Sequence, residues 1–122
     1  MPEYINCPFC DTDIIENQMV LQTRAFYLLT NKNPICEGHY LIVSKDHIQK
    51  EPEIENWQDY GEIIALAHKY IQHKHHVDPA MYTNSPKSFS VKHFHRHFMS
   101  YSFKPHQIER ALRKTIDKYQ KK

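Results

Sequence analysis

Two hydrophobic periods alternate along this chain. Between residues 54 and 77, Trp57, Tyr60, Ile63, Ile64, Ala67, Tyr70 and Ile71 recur three or four positions apart. That spacing predicts one long helix with a single apolar stripe. Asp78-Pro79 is expected to end it, because the residue before a proline resists helical geometry. Elsewhere the pattern is that of strands. Residues 18–22 and 25–30 read as a pair around a Thr23-Arg24 turn, and residues 39–43 are β-branched and aromatic. Asn31-Lys32-Asn33-Pro34 is a turn signal. Residues 80–83 read as a short strand and residues 90–100 as a longer one. Residues 1–16 show no period and are expected to be irregular, around a knuckle at Cys7-Pro8-Phe9-Cys10. After Pro105, the residues Ile108, Leu112, Ile116 and Tyr119 mark a C-terminal amphipathic helix with a basic tail, which suits a helix C-terminus. Strands, a helix, then strands again with short connections predict an α+β fold with an antiparallel sheet.

Composition narrows the function classes. With 122 residues there is room for one domain, 1–122, with its core in 7–100 and the last helix over 105–120. The chain is 40% hydrophobic and 25% charged, which argues against disorder. Sixteen basic against fourteen acidic residues leave a net charge of +2, no mandate for nucleic acid. The lysines at 114, 118, 121 and 122 therefore read as a solvated helix face. Gly38 and Gly61 are the only glycines, so a glycine-rich phosphate loop is excluded. No apolar run approaches the ~18 residues of a membrane span. The first residues lack the basic start and apolar stretch of a secretory signal, so a cytoplasmic location is expected.

Ten histidines are the anomaly. In His93-Phe94-His95-Arg96-His97-Phe98-Met99, a strand would turn His93, His95 and His97 to one face, successive members about 6–7 Å apart. Phe94, Arg96 and Phe98 would line the other. A buried imidazole needs partners for both ring nitrogens, so a core strand does not favour three on one face. Two chemistries remain open for the row: metal binding and a nucleophilic imidazole. Cys7 and Cys10 add two sulfurs at Cys-x-x-Cys spacing, half of a tetrahedral zinc site or else a redox pair. His47 and one end of the histidine row are candidates for the other half.

Three stretches together resemble a known family. They are Cys7-Pro8-Phe9-Cys10-Asp11, the run from Asn31 through His39 and His47 to Ile48, and the row from His93 to Met99. In that order and at those separations the chain resembles the zinc-containing members of the histidine triad (HIT) family of nucleotide hydrolases and transferases. The resemblance implies an antiparallel sheet with helices packed on it, and a homodimer. It implies cleavage of a purine nucleotide derivative, a nucleoside phosphoramidate or a dinucleoside polyphosphate, at the α-phosphorus. It makes His95 the nucleophile that carries the nucleotide covalently, His97 a phosphate contact and His39 a histidine behind the site. Cys7, Cys10, His47 and His93 become a structural zinc shell. Asn31 would hold the ribose hydroxyls, and Asn84 and Ser90 would lie near the phosphates.

The chain also departs from that pattern. The family segment before the triad is usually rich in glycine and ends in Gly-Gln; here it is Asn84-Ser85-Pro86-Lys87-Ser88-Phe89-Ser90. Lys87 and Ser88 offer a charge and a hydroxyl instead. The alternative is a nucleotide-binding or zinc-stabilised interaction module with little turnover. Arg96 departs too, since the positions between the histidines are normally apolar, and it reads as a packing or interface change. The face of Phe94, Arg96 and Phe98 is expected to be covered by a second copy, with the long helix and a sheet edge near the contact, or in part by the C-terminal helix. Trp57 and the tyrosines of the long helix read as core. His68, His73, His75 and His76 read as a solvated helix end, and Cys36 as a loosely buried thiol.

Overall fold

The computed structural model describes residues 7–32, 34–83 and 91–100. Asn84, Lys87, Ser88, Ser90 and the expected C-terminal helix lie outside them. The described chain is α+β. Five antiparallel strands, β1 (Met19–Gln22), β2 (Phe26–Thr30), β3 (His39–Ser44), β4 (Ala80–Tyr82) and β5 (His95–Met99), form one sheet in the order β1-β2-β3-β5-β4. All five expected strand regions are present. The last is shorter than expected, so His93 sits in the bend before β5 and only His95 and His97 lie in the strand.

The long helix, α2, is Trp57–His75. Asn56 caps its start by accepting from the Asp59 N–H at 3.0 Å. It stops before Pro79 is reached, because His76 turns left-handed at φ 59° and its N–H bonds the Gln72 carbonyl. Its apolar stripe packs Tyr60, Ile63, Ala67 and Ile71 onto Phe26, Leu28, Tyr40, Ile42, Phe94 and Phe98. The helix itself thus covers the face of Phe94 and Phe98, and the expected dimer loses that argument. Trp57 falls outside the core at 53% exposure, since it sits on the first turn. The helix end is less solvated than expected: His68 sets its ring edge on Phe98, and Tyr40 Oη lies 2.8 Å from His75 Nε2. Cys36 is half-buried beside Met99.

The opposite face is covered by the N-terminal segment, which is more ordered than expected. Pro8–Cys10 is a 3-10 turn, and α1 (Thr12–Gln18) follows it. Asp11 nucleates α1 by accepting from the Asp13 and Ile14 N–H groups. Phe9 and Ile15 then pack on Leu29, Leu41 and Val43. Between β2 and β3 the chain turns at Gly38, φ 80°, where an added Cβ would come 2.7 Å from Ser100 Oγ.

One buried carboxylate ties the sheet to α2. Asp59 accepts from Thr23 Oγ1 at 2.7 Å and from the Ala25 N–H at 2.8 Å, fixing the β1–β2 turn to the first turn of the helix. Asp59→Ala would orphan both donors, so urea unfolding is expected to show a loss of about 2–3 kcal/mol. A loss under about 0.5 kcal/mol would be the size of an ordinary surface change and would remove this tie from the account.

Candidate functional site

The sheet register brings the chemistry to one face. Val43 pairs with His95, Leu41 with His97 and His39 with Met99, so His39, His95 and His97 project on the side covered by Phe9. All three histidines are buried, at 3%, 5% and 5% exposure.

Hydrogen bonds decide which nitrogen of each ring carries the proton. The Ile35 N–H can only donate, so His39 Nδ1, 3.1 Å away, accepts. A neutral His39 then carries its proton on Nε2 and donates it to His97 Nδ1 at 2.8 Å. His97 in turn carries its proton on Nε2. That nitrogen is buried and has no hydrogen-bond partner among the described residues. His95 Nδ1 lies 2.8 Å from the His93 carbonyl oxygen, which can only accept, so its lone pair is on Nε2. Burial pushes the pKa of His39 from 6.5 to about 4, with the neighbouring His95 adding to it. Burial first, then His95 and His39, holds His97 well below its usual range. Burial lowers His95 too, opposed by the His93 carbonyl. Neutral rings are what this relay requires. Asn31 Nδ2 lies 3.2 Å from His39 Nε2, so Asn31 borders the same face.

His93 belongs to a second cluster. Its Nε2 is 2.7 Å from the Ser44 carbonyl and must donate, which leaves the lone pair on Nδ1. Burial pushes this ring to a pKa of about 4, with the Ser44 carbonyl opposing. Nδ1 lies 3.3 Å from Cys7 Sγ, 3.5 Å from Cys10 Sγ and 3.1 Å from His47 Nδ1, and Cys10 Sγ is 3.2 Å from His47 Nδ1. The four donor atoms all lie within 4.8 Å of one another. A tetrahedral shell with bonds of ~2.0 Å to nitrogen and ~2.3 Å to sulfur has edges of about 3.3–3.8 Å, close to the separations found. The group fits a metal ion that takes two sulfurs and two imidazoles. Cys10 is exposed as a residue, but its sulfur faces the cluster. Desolvation and the Cys7 thiol beside it push its pKa up to about 11, a cost that a cation between the two sulfurs would remove.

Phe9 joins the two clusters and was not singled out in the sequence. Its ring centroid is 5.7 Å from that of His93 and 5.3 Å from that of His95. Its place between two cysteines was the available signal. The Ser44 and His93 carbonyls and the Ile35 N–H also orient the rings, and backbone groups leave no mark in a sequence.

The sign of the pH response follows from the buried neutral rings. In the unfolded chain a histidine takes a proton near pH 6.5, whereas His39 resists it until about pH 4. The unfolded state therefore binds more protons in that window. Stability present above pH 6.5 is lost as the pH falls toward 4, at up to about 1.4 kcal/mol per pH unit for one such ring. His39→Gln should flatten the dependence of the urea midpoint between pH 6.5 and 4.5. An unchanged slope would mean that His39 is not held neutral.

The HIT domain family profile matches residues 13–103. No curated protein matches the chain in sequence. A HIT family hydrolase from Clostridium thermocellum is 25% identical, with a TM-score of 0.65 over 80% of this chain and 92% of its own. A hypothetical histidine triad nucleotide-binding protein from Sulfolobus tokodaii is 21% identical, with a TM-score of 0.66 over 93% of this chain and 94% of its own. The Plasmodium falciparum diadenosine triphosphate hydrolase, solved with cyclomarin A, is 15% identical, with a TM-score of 0.65 over 85% of this chain and 76% of its own. The last two likenesses speak for the fold alone.

Proposed function

The chain belongs to the HIT domain family, and from that premise we propose that it is a nucleotide hydrolase working through a covalent nucleotidyl-histidine on His95. The observation that carries the reading is the pairing of a lone pair at His95 Nε2 with a proton at the buried His97 Nε2, which has no partner among the described residues. A nucleophile and a phosphate-oxygen donor stand on neighbouring positions of one strand face. His95 Nε2 attacks the α-phosphorus, a P–N bond forms, and the bond to the leaving group breaks. The leaving group departs with the electron pair and takes a proton from water. His97 Nε2–H donates to the phosphorus-bound oxygens as their negative charge grows. Water then attacks phosphorus, the P–N bond breaks, and the nucleoside monophosphate leaves. His39 keeps His97 in the donor tautomer, and Asn31 holds the ribose. Asn84, Lys87, Ser88 and Ser90 belong to the phosphate side in this reading.

The substrate class in this reading is a purine nucleotide derivative, either a phosphoramidate or a dinucleoside polyphosphate. The second option draws on the diadenosine triphosphate hydrolase of the same fold. In this reading the assembly is a homodimer, which rests on the family resemblance alone because α2 covers Phe94 and Phe98, and the location is cytoplasmic. Among the described residues no helix is long and apolar enough to cross a membrane. The glycine-free run from Asn84 to Ser90 favours a second reading, a nucleotide-binding module with little turnover. Release of AMP from an adenosine phosphoramidate separates the two.

Wild type treated with an activated AMP ester should gain one nucleotidyl mass, and His95→Ala should not. AMP binding by His95→Ala should stay within about tenfold of wild type, a ~1.4 kcal/mol change. His97→Ala should weaken both binding and transfer. A label found on His97 or Lys87 would overturn the assignment.

The metal in this reading is zinc, held by Cys7, Cys10, His47 and His93. It would supply a fixed four-ligand anchor for the His93 segment, with no open position for substrate. Metal analysis of gently purified protein should find one zinc per chain. Cys7→Ser should lose it and lower the thermal midpoint more than it slows turnover per folded molecule. Zinc retained at full occupancy in that variant would remove Cys7 from the shell.

A further inference from the structure

Arg96 is the residue that the proposed chemistry leaves unused. It projects from β5 between Phe94 and Phe98, on the face covered by α2, with three quarters of its side chain buried. Burying a guanidinium is costly unless it is paired, and an apolar residue would fill this position more cheaply. Its Nε has no partner among the described residues. Its Nη1 donates to Tyr60 Oη at 3.0 Å, and Tyr60 Oη donates to Glu51 Oε2 at 2.7 Å. Nη1 also lies 3.8 Å from that carboxylate. Burial and the Glu51 carboxylate push the Tyr60 pKa up to about 12, which keeps its proton in place for this donation.

Glu51 opens the 3-10 turn Glu51–Glu53, four residues after His47. The segment from Lys45 to Lys50 has no regular structure of its own and is held at a few points. Ser44 Oγ donates to the Asp46 carbonyl, and the Phe94 N–H donates to the Ile48 carbonyl at 2.6 Å. Glu53 Oε1 accepts from the Gln49 and Lys50 N–H groups. Glu51 is where a side chain of β5 reaches the far end of this segment. The two bonds run in one direction, from Arg96 through the Tyr60 hydroxyl to the Glu51 carboxylate.

We propose that Arg96 is a positioning residue for the thiolate–imidazole cluster, fixing the His47 segment to the strand of His95 through Tyr60 and Glu51. This rests on the reading of Cys7, Cys10, His47 and His93 as a metal site. Arg96 touches neither metal nor substrate and acts through His47 alone. Its effect falls on metal affinity and ligand geometry before it falls on turnover.

The test measures Zn²⁺ affinity by competition with a chromophoric chelator, and the visible absorption of the Co²⁺ form. Arg96→Met and Tyr60→Phe should each weaken Zn²⁺ binding by about ten- to a hundredfold, the range for groups that orient a ligand from outside the shell. Both should alter the Co²⁺ bands, and Arg96→Lys should recover part of the affinity. Ile71→Val, a truncation at the far end of α2, controls for general loss of stability and should bind Zn²⁺ as wild type does. Wild-type affinity in both Arg96→Met and Tyr60→Phe would overturn the proposal. So would an equal loss in Ile71→Val, because the effect would then be global. A wild-type chain that binds no Zn²⁺ would bring down the metal reading and this one with it, a result distinct from tight binding that ignores Arg96.

Discussion

A buried imidazole has two nitrogens to satisfy, and this site follows from the hydrogen bonds that fix at least one nitrogen in each of four rings. His93 gives its Nε2 proton to the Ser44 carbonyl, and His95 gives its Nδ1 proton to the His93 carbonyl. His39 accepts from Ile35 and donates to His97. Each bond fixes a tautomer, and each tautomer decides what the other nitrogen can offer. A lone pair results at His93 Nδ1 and at His95 Nε2, and a proton at His97 Nε2. Four copies of one side chain become a metal-ligand candidate, a nucleophile candidate, a donor and a prop for that donor. A protonated ring anywhere in the chain would break this order, and burial keeps the rings neutral.

His93 is the hinge between the two clusters. Its ring nitrogen faces the cysteines and its carbonyl orients His95. It lies before β5 rather than in it, which frees its ring to turn toward the knuckle while His95 and His97 keep the strand alternation. Phe9 fills the space between, against both His93 and His95. The two sides of the sheet divide the labour: α2 supplies the bulk of the apolar packing on one, and on the other Ile15 of α1 packs among Leu29, Leu41 and Val43 while Phe9 lies against His93 and His95.

Much of this was legible in the sequence. The helical stripe, the strand regions, the alternation of His95 and His97 and the spacing of Cys7 and Cys10 are local patterns with periods of two, three and a half, and three residues. The choice of His47 and His93 as partners of the cysteines came from family resemblance, and those four side chains do converge. The short helix α1 is not legible in the sequence because seven residues hold too few apolar positions to show a period, although Asp11 is a readable cap. Trp57 read as core because periodicity assigns a face without saying where the sheet beneath it ends.

By itself the sequence determined the fold class, the two faces of β5, most of the buried stripe of α2 and the residue types available for chemistry. These depend on backbone periodicity and side-chain polarity, which act over a few residues. Only the tertiary structure decided which nitrogen of each histidine carries its proton, since the partners are backbone groups and one other ring, up to 58 residues away. It alone decided that Arg96 reaches Glu51 through Tyr60 across three separate elements. It also decided that α2 buries the face expected at a dimer contact. Hydrogen bonds and burial depend on distance in space, and the sequence orders residues only along the chain.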